Sequence, residues 1–481
     1  MGFSEIRNRL LTAGSSCGTH ARVNAPLLVQ FVFHPASQEA SAVADYLHQV
    51  LNADPSVPGL KIPTCFMPVG GSSDPPAPQL ASEADQVFVV LLADDVLAAA
   101  ALEGGSNGFS WGEYLAQLRT ITEATGQRFV PVQLTPHAFP IDSRLDDANF
   151  LPAWATEDRG ERNKLIARRL VHLLIRRLRP RSGGEDAKPL TIFLSHAKQD
   201  VERDPHVVNA LLDYLKASQP EAVWFDSGDI SPGSRFAKAI ENGLRDAALL
   251  AVVTDSYSSR MWCRKEVLLA KTSGCPVLVV DAIQEQVPRS FPYLGNTPVI
   301  RWNGNPHDVV DLLLREALRH TYAESALEQR KNEGDVILPT SPELLTLVPH
   351  KKVQSVLYPD PPLDRDELGI LAHTGVCVET PLQRHARVCG DSGKNVLVGL
   401  SVSEADDLQS FGLRLVHLES VYLELSRYLL LAGVRLAYGG HLREDGYTRR
   451  LANLLHEPIL ESHREGPNPL QSARQLVVYQ P

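Results

Sequence analysis

The segment MWCRKEVLLAK, Met261 to Lys271, holds the clearest chemistry in the chain. Trp262 and Glu266 stand four residues apart, so a helix puts both on one face. A carboxylate beside an indole suits a ribosyl cation, because the acid stabilises positive charge while the ring supplies a dry wall. Breaking an N-glycosidic bond to a pyridinium asks little for the leaving group, which departs as a neutral base, so one carboxylate can suffice. The same spacing also describes a helix glutamate in a surface ion pair beside a core tryptophan. These residues alone leave both readings open.

A second set lies near the carboxyl end. The run NVLVGLSVSEADDL ends a strand-like stretch at Gly399, with Ser401 and Ser403 following, and RLAYGGH ends another at Gly439 and Gly440, ahead of Arg443. In open parallel sheets ligands lie at the carboxyl ends of strands, and glycines there let backbone amides approach phosphate. Two such ends imply a nucleotide pocket. The glycines could equally serve tight turns, and Arg443 a surface ion pair.

These residues need elements to hold them. After the linker RSGGEDAKP, LTIFLSH reads as a strand, VVNALLDYLKA as a helix with Val208, Leu211, Leu212 and Leu215 at helical spacing, and AVWFD as a strand before the loop SGDISPGS. A helix at about Arg235 to Arg245, the strand ALLAVVT, a helix from Trp262 to about Thr272 and the strand PVLVVDA continue the alternation. Apolar strands separated by amphipathic helices predict an α/β fold with a parallel sheet covered on both faces. The first 155 residues replay the order, with His34 against His196 and Asp85 against Asp246. That is an internal repeat. In the first copy, however, four residues beyond Trp111 stands Leu115, and Glu113 points to another helix face.

The expected domains are therefore 1–180, 188–325 and 390–481, the last with a third strand in SARQLVVYQP and a small, partly open or incomplete sheet. The helix ERNKLIARRLVHLLIRRLRP closes the first copy, its basic face expected to be solvated. Residues 326–389 read as a linker and bridge, rigid and extended around the prolines of YPDPPL rather than a core.

A chain of 481 residues exceeds the size of one core. Its net charge of −10 argues against a general nucleic-acid or membrane-surface role. Six cysteines without CxxC or zinc spacing fit free thiols in a reducing cytoplasm, and no metal site is expected. The start lacks an apolar signal segment, and the most apolar window, Val87 to Leu102, is broken by Asp94 and Asp95.

FLSHAKQD, WFDSGDISPGSRF and WCRKE occur in the order and at the separations of a TIR domain, which the chain resembles from about Leu190 to Asn303. DSGDISPG looks like that family's BB loop and WCRKE like the signature around its catalytic glutamate. The resemblance implies a flavodoxin-like fold and an NAD⁺ hydrolase in which Glu266 is catalytic and Phe193, Ser195, Asp226, Ser234, Arg235 and Trp262 border the NAD⁺ pocket. NAD⁺ would be the substrate, with no cofactor. The first copy looks like a degenerate TIR-like domain with a scaffolding role. VGLSVSE, YGGHLREDG and YPDPPL resemble the Rossmann-like SLOG family, whose members bind nucleotide-derived ligands. Bacterial defence proteins that join the two modules imply a circuit: a signal nucleotide occupies the SLOG pocket, at Gly399, Ser401, Ser403, Gly439, Gly440 and Arg443 here, the chains assemble into a homo-oligomer, and the TIR domains deplete NAD⁺. A non-catalytic scaffold recruiting partner proteins is the alternative.

Overall fold

The computed structural model describes residues 24–67, 74–103, 110–139, 141, 143–179, 190–203, 206–218, 224–226, 247–285, 289–350, 353, 355–389, 396–402, 408, 413–439, 446–455 and 476–479. Continuous apolar runs become parallel strands. Every residue of β1 (Leu28–Val32) and β3 (Val87–Ala93) is buried, as strands covered on both faces require. With β2 (Thr64–Met67), β4 (Arg128–Gln133) and β5 (Leu151–Pro152) they form a sheet of order β2-β1-β3-β4-β5. Helices α1 (Gln38–His48), α2 (Asp95–Leu102), α3 (Trp111–Ala124) and α4 (Arg159–Leu178) complete the first copy.

The second copy contains β6 (Thr191–His196), β7 (Trp224–Asp226), β8 (Ala247–Val253), β9 (Val277–Asp281) and β10 (Val299–Arg301), in the order β10-β9-β8-β6-β7. Read from the opposite edge, this is the order of the first sheet. The repeat seen in the sequence is thus a repeat of topology. Its helices are α5 (Lys198–Arg203), α6 (His206–Ser218), α7 (Met261–Thr272) and α8 (Pro306–Glu328). The helix expected at about Arg235 to Arg245 lies outside the described residues.

The chain forms two compact units, and the first comprises Ala25–Ala326 with Leu338–Lys351, the latter including the short helix α9 (Leu344–Leu347). Both copies lie in this unit and share one apolar core. Ile166, Leu170 and Leu174 of α4 join Val309, Leu313 and Ala317 of α8 in a single buried cluster. Charge is internalised beside it. Arg168 holds Asp311 through two bonds of 2.5 and 3.1 Å, and Arg315 pairs with Asp54 across the copies. The basic face of α4, expected to be solvated, is thus partly internal. Arg162 and Arg168 are both buried, because acids on α1 and α8 meet them. A cleft of about 210 Å³ at this junction is lined by Lys164, Arg168, Asp308, Asp311 and Arg315, whose charges are already matched.

The second unit comprises Leu327–Ile337 with Lys352–Pro481 among its described residues. The stretch expected to be an extended bridge folds instead: β11 (Asp335–Ile337), β12 (Ser355–Leu357) and β13 (Cys377–Glu379) form a parallel three-stranded sheet. Val356, Leu357 and Tyr358 are fully buried. Pro359, Pro361 and Pro362 follow β12, where no ladder amide is lost. After α10 (Arg365–Ala372) and α11 (Pro381–Cys389) comes a second three-stranded parallel sheet, β14 (Leu397–Leu400), β15 (Arg435–Gly439) and β16 (Leu476–Tyr479), with α12 (Leu415–Leu431) and α13 (Tyr447–Leu454). Leu382 and Ala386 of α11 share a cluster with Tyr422, Leu430 and Leu436, so residues on both sides of position 390 build one core.

Two consequences can be measured. Asp311→Ala strands the buried Arg168 guanidinium and should cost about 3–5 kcal/mol in urea denaturation, whereas the paired replacement Arg168→Met with Asp311→Leu should recover most of that. In the second unit, burial pushes the Asp360 carboxyl up to about 6 against hydrogen bonds from Thr380 and Leu382 and the charge of Arg427. Below about pH 4 the group is protonated folded or unfolded; between about 4 and 6 only the folded chain keeps the proton, so stability falls as pH rises through that window, by roughly 3 kcal/mol. Asp360→Asn should flatten this slope, and an unchanged pH dependence of the denaturation midpoint would exclude it.

Candidate active site

In a doubly wound sheet of this order, ligands enter the crevice outside the carboxyl ends of the strands where the winding reverses. Here that point lies between β6 and β8, which pair from Thr191↔Ala247 to His196↔Val252. Ser195 is the penultimate residue of β6, Tyr257 opens the short turn after β8, and Glu266 stands in the second turn of α7. All three converge. Ser195 Oγ donates to Glu266 Oε2 at 2.6 Å and lies 2.8 Å from Tyr257 Oη. Since the serine proton goes to the carboxylate, the tyrosine hydroxyl must donate to the serine, giving a directed chain from Tyr257 through Ser195 to Glu266.

Burial sets the character of each member. Ser195 is 1% exposed, Tyr257 fully buried and Glu266 half-buried, so the carboxylate faces outward from a dry support. Desolvation, reinforced by Cys263 and Glu266, raises the Tyr257 phenol well above its ordinary range and keeps it a neutral donor. Burial and the nearby Glu266 push the Cys263 thiol up to about 12, and its Sγ lies 3.5 Å from the His196 carbonyl oxygen. It is a packing residue rather than a nucleophile. Helix α7 is seated by Cys263, Val267 and Ala270, which join Phe193, Leu249 and Val279 in one apolar cluster. Glu266 flanks that stripe and so reaches the strand end. Asp200 accepts the Ser256 amide at 2.9 Å, tying α5 to the turn that presents Tyr257.

The other residues assigned from sequence divide. Phe193, 5% exposed, is part of the core beneath α7. Trp262 is 41% exposed, with the Lys265 ammonium 4.5 Å from its ring centroid, so the indole is an outer surface rather than a dry wall. Asp226 ends β7 opposite Leu194, while its side chain, with Ser234 and Arg235, lies outside the described residues. Sequence reasoning passed over Tyr257. Its only signal was a tyrosine in the polar turn TDSYSS, which gives no hint of complete burial.

The first copy fills the corresponding place differently. Leu115 is fully buried, and Glu113 is turned back into a capping box, accepting the Ser110 amide at 2.9 Å. Trp111 is buried against the His34 ring, with centroids 5.2 Å apart. Ser37 donates to Asp94, each also capping its own helix, α1 or α2. Ser37, Asp94 and Glu113 are thus engaged in holding the fold.

In the second unit, Gly399 lies within β14 opposite Ala437, and Gly439 ends β15 opposite Tyr479. Neither has a positive φ, and an added Cβ at either would meet no atom within 4 Å. A tight turn therefore does not require them, and the space beside each backbone is open. Ser401 follows β14 directly and is exposed; Ser403, Gly440 and Arg443 lie outside the described residues. Among the described residues, no group of three or more His, Cys, Asp or Glu is arranged to hold a metal ion, and no helix is long and apolar enough to cross a membrane.

The family model for the TIR domain matches residues 192–313, which include Ser195, Tyr257 and Glu266. That for the SLOG cluster2 domain matches residues 393–467, which include Gly399 and Gly439. No curated protein matches the chain. The chain thus joins a TIR domain to a carboxyl-terminal SLOG cluster2 domain and has the TIR–SLOG architecture.

Proposed function

We propose that the TIR domain cleaves NAD⁺ to nicotinamide and ADP-ribose or its cyclised form, with Glu266 as the catalytic carboxylate. The observation that carries this reading is the half-buried Glu266 at the strand-order reversal, one oxygen held by Ser195 against the fully buried Tyr257. In the reaction the C–N bond to nicotinamide breaks with its electron pair leaving on the ring nitrogen, and positive charge develops on the ribose. The Glu266 carboxylate stabilises that charge. Water, or a nucleophile of the same molecule in cyclisation, then bonds to the ribose carbon and loses its proton. Ser195 and Tyr257 are positioning residues that keep the carboxylate oriented without reorganisation.

The SLOG domain serves as sensor for a nucleotide-derived ligand at the strand ends bearing Gly399, Ser401 and Gly439, and its occupancy promotes homo-oligomerisation that completes the NAD⁺ pocket. The cytoplasmic chain then acts as a defence effector by depleting NAD⁺. The first copy, in which the buried Leu115 stands where the second copy has Glu266, is a scaffold fused to the catalytic copy through the shared core.

NAD⁺ consumption and nicotinamide release by the purified chain, with and without cyclic nucleotides or cyclic ADP-ribose isomers, test the proposal. Glu266→Gln should lower kcat by at least about two orders of magnitude with folding retained. Ser195→Ala should lower it about tenfold, as expected for one hydrogen bond to a charged group. Turnover retained in Glu266→Gln would refute the assignment; no turnover by the wild type even at concentrations that force assembly would favour the scaffold alternative.

A further inference from the structure

Residues Leu338–Lys351 pack in the compact unit that contains the TIR domain, yet along the chain they are the crossover between β11 and β12, neighbouring parallel strands of the other unit. A crossover between parallel neighbours ordinarily packs back on its own sheet. This one is fastened to the TIR domain at three places. Arg319 on α8 donates to the Pro339 carbonyl at 3.1 Å, and Asn296 donates to the Ser341 carbonyl at 3.1 Å. Lys271 Nζ donates to Glu343 Oε1 at 2.7 Å and to the Gly295 carbonyl. The Lys271 side chain is only 5% exposed, so Glu343 is the partner that makes a buried ammonium tolerable.

Lys271 is the penultimate residue of α7, the helix whose second turn carries Glu266. We propose that Glu343 is a positioning residue for the reaction at Glu266, acting through Lys271 to fix the seat of α7. The proposal rests on the hydrolase reading. Glu266 and Lys271 share one short helix, so a shift at the lysine displaces the carboxylate from Ser195, which is fixed on β6. A displacement of about 1 Å is enough to cost a large factor in rate. Glu343 also accepts the Thr346 amide in the capping box of α9, so a single side chain organises the segment and grips the catalytic helix. Glutamine keeps the cap acceptor while removing the charge, which makes Glu343→Gln the cleanest probe.

The test uses the full chain and the variants Glu343→Gln, Lys271→Met and Lys271→Arg, with two readouts: amide hydrogen exchange across residues 262–272, and kcat and KM for NAD⁺. Glu343→Gln and Lys271→Met should each speed exchange in α7 and lower kcat by about tenfold while KM stays within about twofold, and Lys271→Arg should restore both. Unchanged exchange in α7 for Glu343→Gln, or a loss confined to KM, would overturn the proposal. A wild-type chain without turnover would overturn the hydrolase reading, while the exchange data would still decide whether Glu343 seats α7.

Discussion

The hydrogen bond from Ser195 to Glu266 joins β6, an interior strand of the second sheet, to the helix that begins after β8, and much of the domain can be understood as what keeps its two ends in place. The strand end is fixed by parallel pairing on both sides, with β7 and with β8. The helix end is fixed by an apolar stripe, Cys263, Val267 and Ala270, driven into the cluster around Phe193 and Leu249. Burial of Tyr257 removes water as a competing donor, so the serine hydroxyl has one polar neighbour behind it and one carboxylate ahead. A charge-assisted bond in such a setting is short and stiff. It holds the carboxylate at the end of β6.

The two copies show how little of this follows from topology alone. Both sheets have the same strand order, and in both a tryptophan lies at the start of the helix that leads into the fourth strand of the copy. In the first copy that tryptophan is buried, the fifth helix residue is a buried leucine, and the acid at Glu113 closes a capping box. In the second the tryptophan is outside and the acid reaches the serine. The same strand order thus supports a capping box in one case and a carboxylate bonded to the strand-end serine in the other. The shared α4–α8 core and the Arg168–Asp311 pair join the two copies.

The alternation of strands and helices, the repeat and the place of Glu266 were legible because continuous apolar runs and i, i+4 spacing are local signals. What escaped was set by packing across distant segments. Tyr257 gained its place because its turn folds beneath β6, and no neighbouring residue encodes that. The shared helical face of Trp262 and Glu266 suggested a dry indole wall, but a shared face does not determine how a ring is covered, and Trp262 is 41% exposed with Lys265 against it. The bridge before residue 390 looked extended because its prolines dominate the pattern, whereas three-residue strands such as SVL are too short to announce a sheet. The arginines of α4 read as solvated because their acidic partners sit in other elements, Glu39 on α1 and Asp311 on α8.

The most direct test of the account is a structure of the full chain with a hydrolysis-resistant NAD⁺ analogue bound. The account predicts the nicotinamide-bearing ribose at the carboxyl end of β6 in the second copy, within reach of the Glu266 carboxylate, with the first copy unoccupied. An analogue bound in the first copy, or bound in the second with its ribose remote from Glu266, would contradict it.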